Sequence, residues 1–172
     1  MEINKPGAHI DQMLRQTRVH HVQLSMMADQ KASMLLTVCA IIIPLTAHFL
    51  STPHFRLVAF TLICFSVLTM LLAIYTAMPG IHKPERVDVA ATSFNPLFFA
   101  DFTSLDYTEY EKLMEGISND PSRVYETQIR EIYLLGKYLV NHKYKYLRLA
   151  YLSFLSGIVT SGIIWIITIV FL

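Results

Sequence analysis

Charged residues are scarce in this sequence. Asp, Glu, Lys and Arg supply only 16% of its 172 residues, the formal net charge is +1, and hydrophobic side chains make up 53%. A domain that binds nucleic acid usually carries a strong basic excess, so the near-neutral balance argues against a nucleic-acid partner. The apolar excess is too large for an ordinary soluble domain of this length, which makes a membrane protein the first hypothesis.

Motifs of catalysis and of metal binding are also missing. The sequence contains no glycine-rich phosphate loop, no G-x-S-x-G elbow and no paired-cysteine site. Its two cysteines, Cys39 and Cys64, lie inside apolar segments, where a thiol usually behaves as a small hydrophobe. His20 and His21 are adjacent and therefore point to different faces of a helix, which does not suit metal ligation. We expect no catalytic residues, no metal site and no cofactor, and hence no enzyme.

Three stretches without Asp, Glu, Lys or Arg are long enough to cross a bilayer, which takes about 20 apolar residues. They predict transmembrane helices at residues 33–51, 57–78 and 149–171. A chain of 172 residues could not bury three helices that are apolar on every face unless lipid surrounded them. Pro44 predicts a kink in the first span, because proline removes a backbone donor. No basic start leads directly into a short apolar core, so we expect no cleavable signal peptide.

Lysine and arginine collect before the first span and between the second and third spans, whereas Arg56 alone lies in the turn between the first two. Basic segments near membrane helices stay in the cytoplasm, which predicts a multi-pass protein with its N-terminus in the cytoplasm and its C-terminus outside. The cytoplasmic part would then consist of an arm at residues 1–32 and a sensor region at residues 79–146. The predicted fold class is an all-α membrane protein with a mostly helical cytoplasmic region.

Local patterns predict the elements of that region. A weak apolar stripe at helical spacing from Ile10 to Ala28 favours a helix packed on another helix over a helix lying in the membrane interface. The stretch from Glu85 to Thr92 predicts a short strand or extended segment.

Two further helices are predicted in the second half of the insert. Thr108 with Glu111 predicts a capping box that opens a helix ending near Gly116. Asp120-Pro121-Ser122 opens a second helix, since proline is tolerated at the first helical position. No stop signal separates this helix from the third span, so we expect one continuous helix through both.

Three short sequence motifs lie beside the predicted spans and in the insert. The first is Ala28-Asp29-Gln30-Lys31-Ala32 before span one, the second is Asn95-Pro96-Leu97-Phe98-Phe99-Ala100-Asp101-Phe102 in the insert, and the third is Lys143-Tyr144-Lys145-Tyr146-Leu147-Arg148 before the last span. Together with the order of arm, two spans, insert and final span, they resemble the membrane effector family of the bacterial Pycsar antiphage system. The resemblance covers nearly the whole chain, from about residue 12 onward.

The resemblance implies an effector in the bacterial inner membrane. Its expected signal is a cyclic pyrimidine nucleotide, cyclic UMP or cyclic CMP, made by a partner cyclase during phage infection. The activated protein is expected to assemble as a homo-oligomer and to damage the membrane. The residues alone leave open a second function, a membrane-anchored adaptor whose cytoplasmic helices bind a protein partner. A membrane enzyme is the third class, and no visible nucleophile or metal set supports it.

A cyclic nucleotide needs a cation for its phosphate, polar partners for its ribose and base edges, and a flat surface for its base. Arg123 and Arg130, two turns apart on one helix, are candidates for the phosphate, with Arg18 or Arg15 of the arm as alternatives. The candidates for contact with the base are Asn95 and the aromatic residues Phe94, Phe98, Phe99 and Tyr107.

The competing interpretation of these residues is structural. Phe98 and Phe99 would fill the core between helices, and Asn95 would shape the turn before Pro96. The arginines would pair with Glu126 or face solvent.

Gating residues are expected near and within the spans. Asp29 is predicted to pair with Lys143 or Lys145 and hold a closed state, while Lys31 extends towards lipid phosphates and Pro44 is a possible hinge. Small residues allow close helix contacts in membranes, and those of the last span are Ser153, Ser156, Gly157, Ser161 and Gly162.

Overall fold

The computed structural model describes residues 7–78 and 94–171, and all regular elements in these two stretches are helical. The predicted fold class, an all-α membrane protein, is confirmed. The predicted extended segment from Glu85 to Thr92 lies outside the described residues. In chain order the elements are α1 (Ala8–Ala47), a 3-10 turn (His48–Ser51), α2 (Arg56–Ala77), α3 (Phe99–Phe102), α4 (Tyr107–Ser118), α5 (Pro121–Tyr138), a π-helical segment (Leu139–Tyr144) and α6 (Lys145–Phe171).

Three helical stretches are long and apolar enough to cross a membrane: Ala8–Ser51, Arg56–Ala77 and Pro121–Val170. The first and the third exceed the length that a bilayer requires, about 20 residues, so each also contains a part that is not needed for crossing. Pro44 lies within α1, which continues to Ala47. α2 ends at Ala77 with Met78 in an extended conformation, immediately before Pro79 in the sequence.

The start of α4 differs from the prediction, and the capping box at Thr108 is wrong. The N-cap residue is Asp106, whose backbone is extended, and α4 begins at Tyr107. The Thr108 hydroxyl donates instead to the Asp106 carboxylate over 2.7 Å. This hydrogen bond, together with backbone N–H groups at the start of the helix, lowers the pKa of Asp106. α4 also continues beyond Gly116 to Ser118.

The predicted start of α5 is confirmed. Pro121 is its first residue, where a missing N–H costs no helical hydrogen bond. The Asp120 carboxylate accepts the backbone N–H of Ser122 over 2.9 Å. Helical backbone then continues from Pro121 to Phe171, although the turns between Leu139 and Tyr144 are of the wider π type.

The chain forms two compact units. Within the described residues, the insert unit consists of residues 7–23 and 94–138, and the span unit consists of residues 24–78 and 139–171. α1 contributes residues to both units. The chain enters the span unit for the second time at Leu139, the first residue of the π-helical segment.

The span unit packs through small residues. Each of its three helices buries a stripe at steps of three, four or seven residues, as helices in membranes do when their backbones approach closely. The stripes are Ala28, Ala32, Leu35 and Cys39 on α1; Ala59, Ser66, Thr69, Ala73 and Thr76 on α2; and Leu147, Ala150, Ser153, Gly157 and Ser161 on α6. The hydroxyls of Thr69 and Thr76 donate to carbonyls one turn earlier, which satisfies them without water.

α6 lies very close to α2 at Gly157. A Cβ placed on it would lie 2.5 Å from the Cβ of Phe65, so no larger residue fits without a shift of the backbone. Ser153, one turn earlier, also faces the Phe65 carbonyl, at 3.5 Å. Gly162 differs, because a Cβ there would meet nothing within 4 Å.

In the insert unit, polar pairs join α1 to α5. The Tyr125 hydroxyl donates to the Asp11 carboxylate over 2.7 Å, and that carboxylate raises the pKa of Tyr125. One and a half to two turns further along each helix, Arg18 pairs with Glu131 at 3.1 Å. The arm therefore packs on another helix, as its weak apolar stripe predicted, and much of this contact is polar.

Candidate functional site

A pocket of about 170 Å³ lies in the insert unit, between α4, α5 and the segment that precedes α3. One wall is apolar and the other is polar. Phe94, Pro96, Leu113 and Ile117 form the apolar wall, and Arg123, Glu126, Thr127 and Arg130 form the polar wall.

The polar wall is one face of α5. Residues three, four and seven positions apart lie on the same side of an α-helix, which places Arg123, Thr127 and Arg130 side by side. The helix begins at Pro121, so this face starts in its first turn. The two arginines that the sequence singled out for phosphate binding therefore line one pocket.

Among the described residues, each arginine has a protein partner that uses only part of its donor capacity. One Arg123 nitrogen donates to the Gly116 carbonyl over 3.1 Å, which is one of the five N–H donors of a guanidinium group. Arg130 pairs with Glu126 at 3.7 Å, and both side chains are nearly half exposed. An ion pair of this kind contributes about 0–1 kcal/mol. An incoming anion can therefore compete for Arg130 at little cost.

The charge of the pocket favours an anion. Two guanidinium groups face one carboxylate, that of Glu126. Phe94, which is 6% exposed, adds an aromatic side chain to the wall beside these charges. An anion that also carries a flat, partly apolar group matches both walls.

The other predicted aromatic contacts lie elsewhere. Phe98 and Phe99 are 40% and 56% exposed, and neither lines the pocket. Their rings contact each other, with centroids 4.9 Å apart. Tyr107 is 71% exposed and is also absent from the pocket wall. The competing interpretation, that Phe98 and Phe99 fill the core, does not describe them either.

Asn95 is buried and already engaged. Its backbone N–H donates to the Asp101 carboxylate over 2.9 Å, and its side-chain oxygen accepts the N–H of Leu97 over 3.0 Å. The next residue, Pro96, has its carbonyl 3.4 Å from the Tyr110 hydroxyl. Asn95 therefore shapes the turn that places Pro96 in the pocket wall, and its own side chain is not among those that line the pocket.

Arg18 faces Glu131 instead of the pocket. The Glu131 side chain is 11% exposed, and this burial raises its pKa, while the positive charge of Arg18 partly opposes the rise. Glu131 was not among the residues predicted from the sequence to form a site. Its position six residues after Tyr125, on a similar face of α5, places it near Arg18, which lies seven residues after Asp11.

A second polar site lies in the span unit, where α6 begins. The Lys143 ammonium donates to both oxygens of Asp29, at 2.6 and 2.7 Å. The Lys143 side chain is 10% exposed and that of Asp29 is 43% exposed. Of the two pairings that the sequence allowed, the structure contains the one with Lys143, while Lys145 lies 5.9 Å from the Tyr146 ring centroid.

Lys143 is buried on the same helix face as Leu139 and Leu147, which lie four positions before and after it. Residues four positions apart share one face of a helix. A lysine on that face needs a carboxylate, and Asp29 supplies it. Among residues 7–78 and 94–171, no group of three or more His, Cys, Asp or Glu side chains could hold a metal ion.

The sequence of this chain also matches a model of a known protein family. The model of the Pycsar effector protein domain matches residues 12–172, which include most of the arm, all three candidate spans and the insert. No curated protein and no solved structure matches the chain significantly.

Proposed function

This chain belongs to the Pycsar effector family, and on that premise we propose that it is an effector of antiphage defence in the bacterial inner membrane, activated by a cyclic pyrimidine nucleotide. The signal is cyclic UMP or cyclic CMP from a partner cyclase. The activated protein assembles as a homo-oligomer and impairs the membrane. The N-terminus and the insert face the cytoplasm, and the C-terminus lies outside. The family is not a known enzyme family, and the proposal includes no catalysis.

The observation that carries the nucleotide proposal is the pocket with Arg123 and Arg130 on one wall and Phe94 on the other. The guanidinium groups would hold the cyclic phosphate, and Phe94 with Pro96 would contact the base or ribose. Charge-assisted hydrogen bonds from arginine to phosphate are among the stronger polar contacts in proteins. The pocket thus offers a cation and an apolar surface together.

The size of the pocket limits what it can enclose. Its volume of about 170 Å³ lies below the range of about 300–1,000 Å³ that is usual for sites enclosing a whole small molecule. We therefore place the phosphate and the adjoining ring inside and leave the rest of the nucleotide exposed, unless the walls move apart on binding.

Chain continuity offers a route from the ligand to the spans. α5 carries both pocket arginines, and helical backbone continues from it through the π-helical segment into α6. A ligand can shift a conformational equilibrium only if it binds one state more tightly than the other. The proposal therefore requires that the pocket geometry differ between the resting and the active states.

Resting and active states would differ in the span unit as well. The ion pair of Asp29 with Lys143 is the contact that we expect to hold the resting state. Pro44 is the proposed hinge of α1, Gly157 the close contact between helices, and Gly162 a position open to another copy.

The test is direct binding of cyclic UMP and cyclic CMP to the purified full-length protein, measured by equilibrium dialysis. Arg123→Gln and Arg130→Gln should each weaken binding about 10- to 150-fold, since a hydrogen bond to a charged group is worth about 1.5–3 kcal/mol. Arg15→Gln is the matched control, because Arg15 is exposed in the same unit and does not line the pocket.

Two results would contradict the proposal. One is that neither nucleotide binds, and the other is that both pocket variants bind as the wild type does. Phe98→Ala and Phe99→Ala should leave binding unchanged, because these rings lie outside the pocket wall.

The adaptor function retains one supporting observation, the exposure of Phe98 and Phe99. Exposed aromatic pairs are common in protein interfaces. If this function is correct, a double change of Phe98→Ser and Phe99→Ser abolishes co-purification of a protein partner, and the wild type binds neither nucleotide.

A further inference from the structure

Two exposed cations on α6 lie at the start of an apolar stripe. Lys145 and Arg148 are three residues apart on the same face, and that face continues with Leu152 and Leu155. The two leucines are 49% and 58% exposed, so they face lipid in a membrane. After Arg148 the chain has no Asp, Glu, Lys or Arg. The two charges therefore lie at the boundary between the polar and apolar parts of α6.

These two cations have no carboxylate partner within the described chain. The only ion pair of the span unit in that part of the chain is the one between Lys143 and Asp29. Lys143 is thus neutralised, whereas the Lys145 ammonium lies 5.9 Å from the centroid of the Tyr146 ring, which carries no charge. Like charges three positions apart on a helix repel each other, so an external anion between Lys145 and Arg148 would be stabilising.

Lys31 shows the same arrangement on α1. It is exposed, and the positions that follow it at helical spacing are Met34, Val38 and Ile41, all exposed and apolar. Lys31 follows Asp29 by two residues, and Lys145 follows Lys143 by two residues. Since Asp29 contacts Lys143, both lysines lie about 3 Å beyond that ion pair along their helices, at a rise of about 1.5 Å per residue.

Aromatic side chains mark the same level. Tyr75 of α2 and Tyr146 of α6 contact each other with ring centroids 4.5 Å apart, and Tyr75 is 55% exposed. Tyr151, one turn after Arg148, is 43% exposed. Tyrosine is enriched where membrane helices pass the lipid headgroups. Headgroup phosphates would therefore lie at the height of Lys145 and Arg148.

We propose that Lys145 and Arg148 form a binding site for the phosphodiester of an anionic phospholipid, whose acyl chains lie along Leu152 and Leu155. Lys31 forms a second, weaker contact of the same kind. The occupant is an anionic lipid because a zwitterionic headgroup brings its own cation next to these two positive charges. A long charged side chain can keep its methylene stem on apolar surface while its head reaches the phosphate.

The opposite end of the span unit lacks such a site. Arg56 is the cation there, and its Nε donates to the Leu50 carbonyl over 3.0 Å. No second lysine or arginine accompanies it between Lys31 and Lys83 in the sequence. The preference for anionic lipid is therefore specific to the end that contains Lys145 and Arg148.

The test titrates the full-length protein in neutral detergent with dioleoylphosphatidylglycerol or dioleoylphosphatidylcholine and counts bound lipid by native mass spectrometry. The wild type should prefer phosphatidylglycerol. Each of Lys145→Gln and Arg148→Gln should weaken that binding about fivefold, and the double variant about 25-fold, from the usual contribution of a basic residue at an anionic surface. The single variants keep the test valid if the double variant folds poorly.

Two control variants distinguish an effect of the charges at Lys145 and Arg148 from an effect of the total charge of the protein. Arg15→Gln with Lys112→Gln also removes one arginine and one lysine from exposed positions, in the insert unit, and should bind phosphatidylglycerol as the wild type does. Lys145→Arg with Arg148→Lys keeps both charges and should retain most of the binding.

The proposal is overturned if the wild type binds both lipids equally, or if the Gln variants bind phosphatidylglycerol as the wild type does. It is also overturned if inorganic phosphate or glycerol phosphate displaces the lipid at equal concentration, because the site would then recognise free phosphate. Retention of lipid against both soluble competitors supports a lipid site.

Discussion

In the ion pair between Asp29 and Lys143, loss of the carboxylate should lower the free energy of unfolding more than loss of the ammonium does. Removal of the carboxylate by Asp29→Asn leaves an ammonium whose side chain is only 10% exposed. A buried charge left without its partner costs about 3–5 kcal/mol, so we expect a loss of about 3 kcal/mol in the free energy of unfolding. Removal of the ammonium by Lys143→Met leaves a carboxylate that is 43% exposed and can be hydrated. That variant should lose only about 1 kcal/mol, as for a partly exposed ion pair.

The assay is equilibrium unfolding of the purified protein in mixed micelles of neutral detergent and dodecyl sulfate, followed by far-UV circular dichroism. The double variant Asp29→Asn with Lys143→Met contains no unpaired charge, so it should be more stable than Asp29→Asn alone. Lys137→Met is the control, because Lys137 is exposed on α5 and a substitution there should stay within about 0.5 kcal/mol. Equal losses for the two single variants, or a larger loss for Lys143→Met, would refute the reasoning from burial.

Two other predictions concern packing and pH. Gly157→Ala places a Cβ 2.5 Å from the Cβ of Phe65 and should lower the free energy of unfolding by about 1–3 kcal/mol through overpacking. Gly162→Ala should be nearly neutral in the same unfolding assay, because a Cβ there meets nothing within 4 Å. Equal effects of the two variants would contradict the close contact assigned to Gly157. Burial raises the pKa of Glu131 above the usual 4.5, so the folded state binds this proton more tightly. Wild-type stability relative to Glu131→Gln should therefore fall as pH rises from 4.5 through the raised pKa, and a pH-independent difference would exclude that shift.

The sequence predicted those features that depend on local chemistry. Uninterrupted apolar stretches predicted the membrane helices, because lipid admits only backbones that satisfy their own hydrogen bonds. Asp120-Pro121-Ser122 predicted the start of α5 for an equally local reason. The capping box at Thr108 failed because Asp106, two residues earlier, was an equally good N-cap and took that position.

The pocket was only partly predictable. Arg123 and Arg130 share a helix face by their spacing alone, and the structure places both in one pocket. The partner of that face could not be read from spacing, because it depends on how the segment from Phe94 to Pro96 turns back against α4 and α5. Local sequence does not distinguish Phe94 in the wall from the exposed Phe98 and Phe99, and the tertiary turn at Asn95 decides it.

The π-helical segment has no sequence signal of its own. The spacing of Leu139, Lys143 and Leu147 continues a helical pattern without a break, and the half-exposed carboxylate of Asp29 is what accommodates a buried lysine at the middle position. Polar groups buried between helices are specified by their partners, which lie far away in the sequence.

Leakage of a trapped dye from vesicles that contain the purified full-length protein tests the central claim most directly. Cyclic UMP or cyclic CMP should start leakage within the assay, whereas cyclic AMP should not, and Arg123→Gln should require a higher nucleotide concentration. Vesicles that leak equally without any nucleotide, or that stay sealed with both cyclic pyrimidines, would contradict the account.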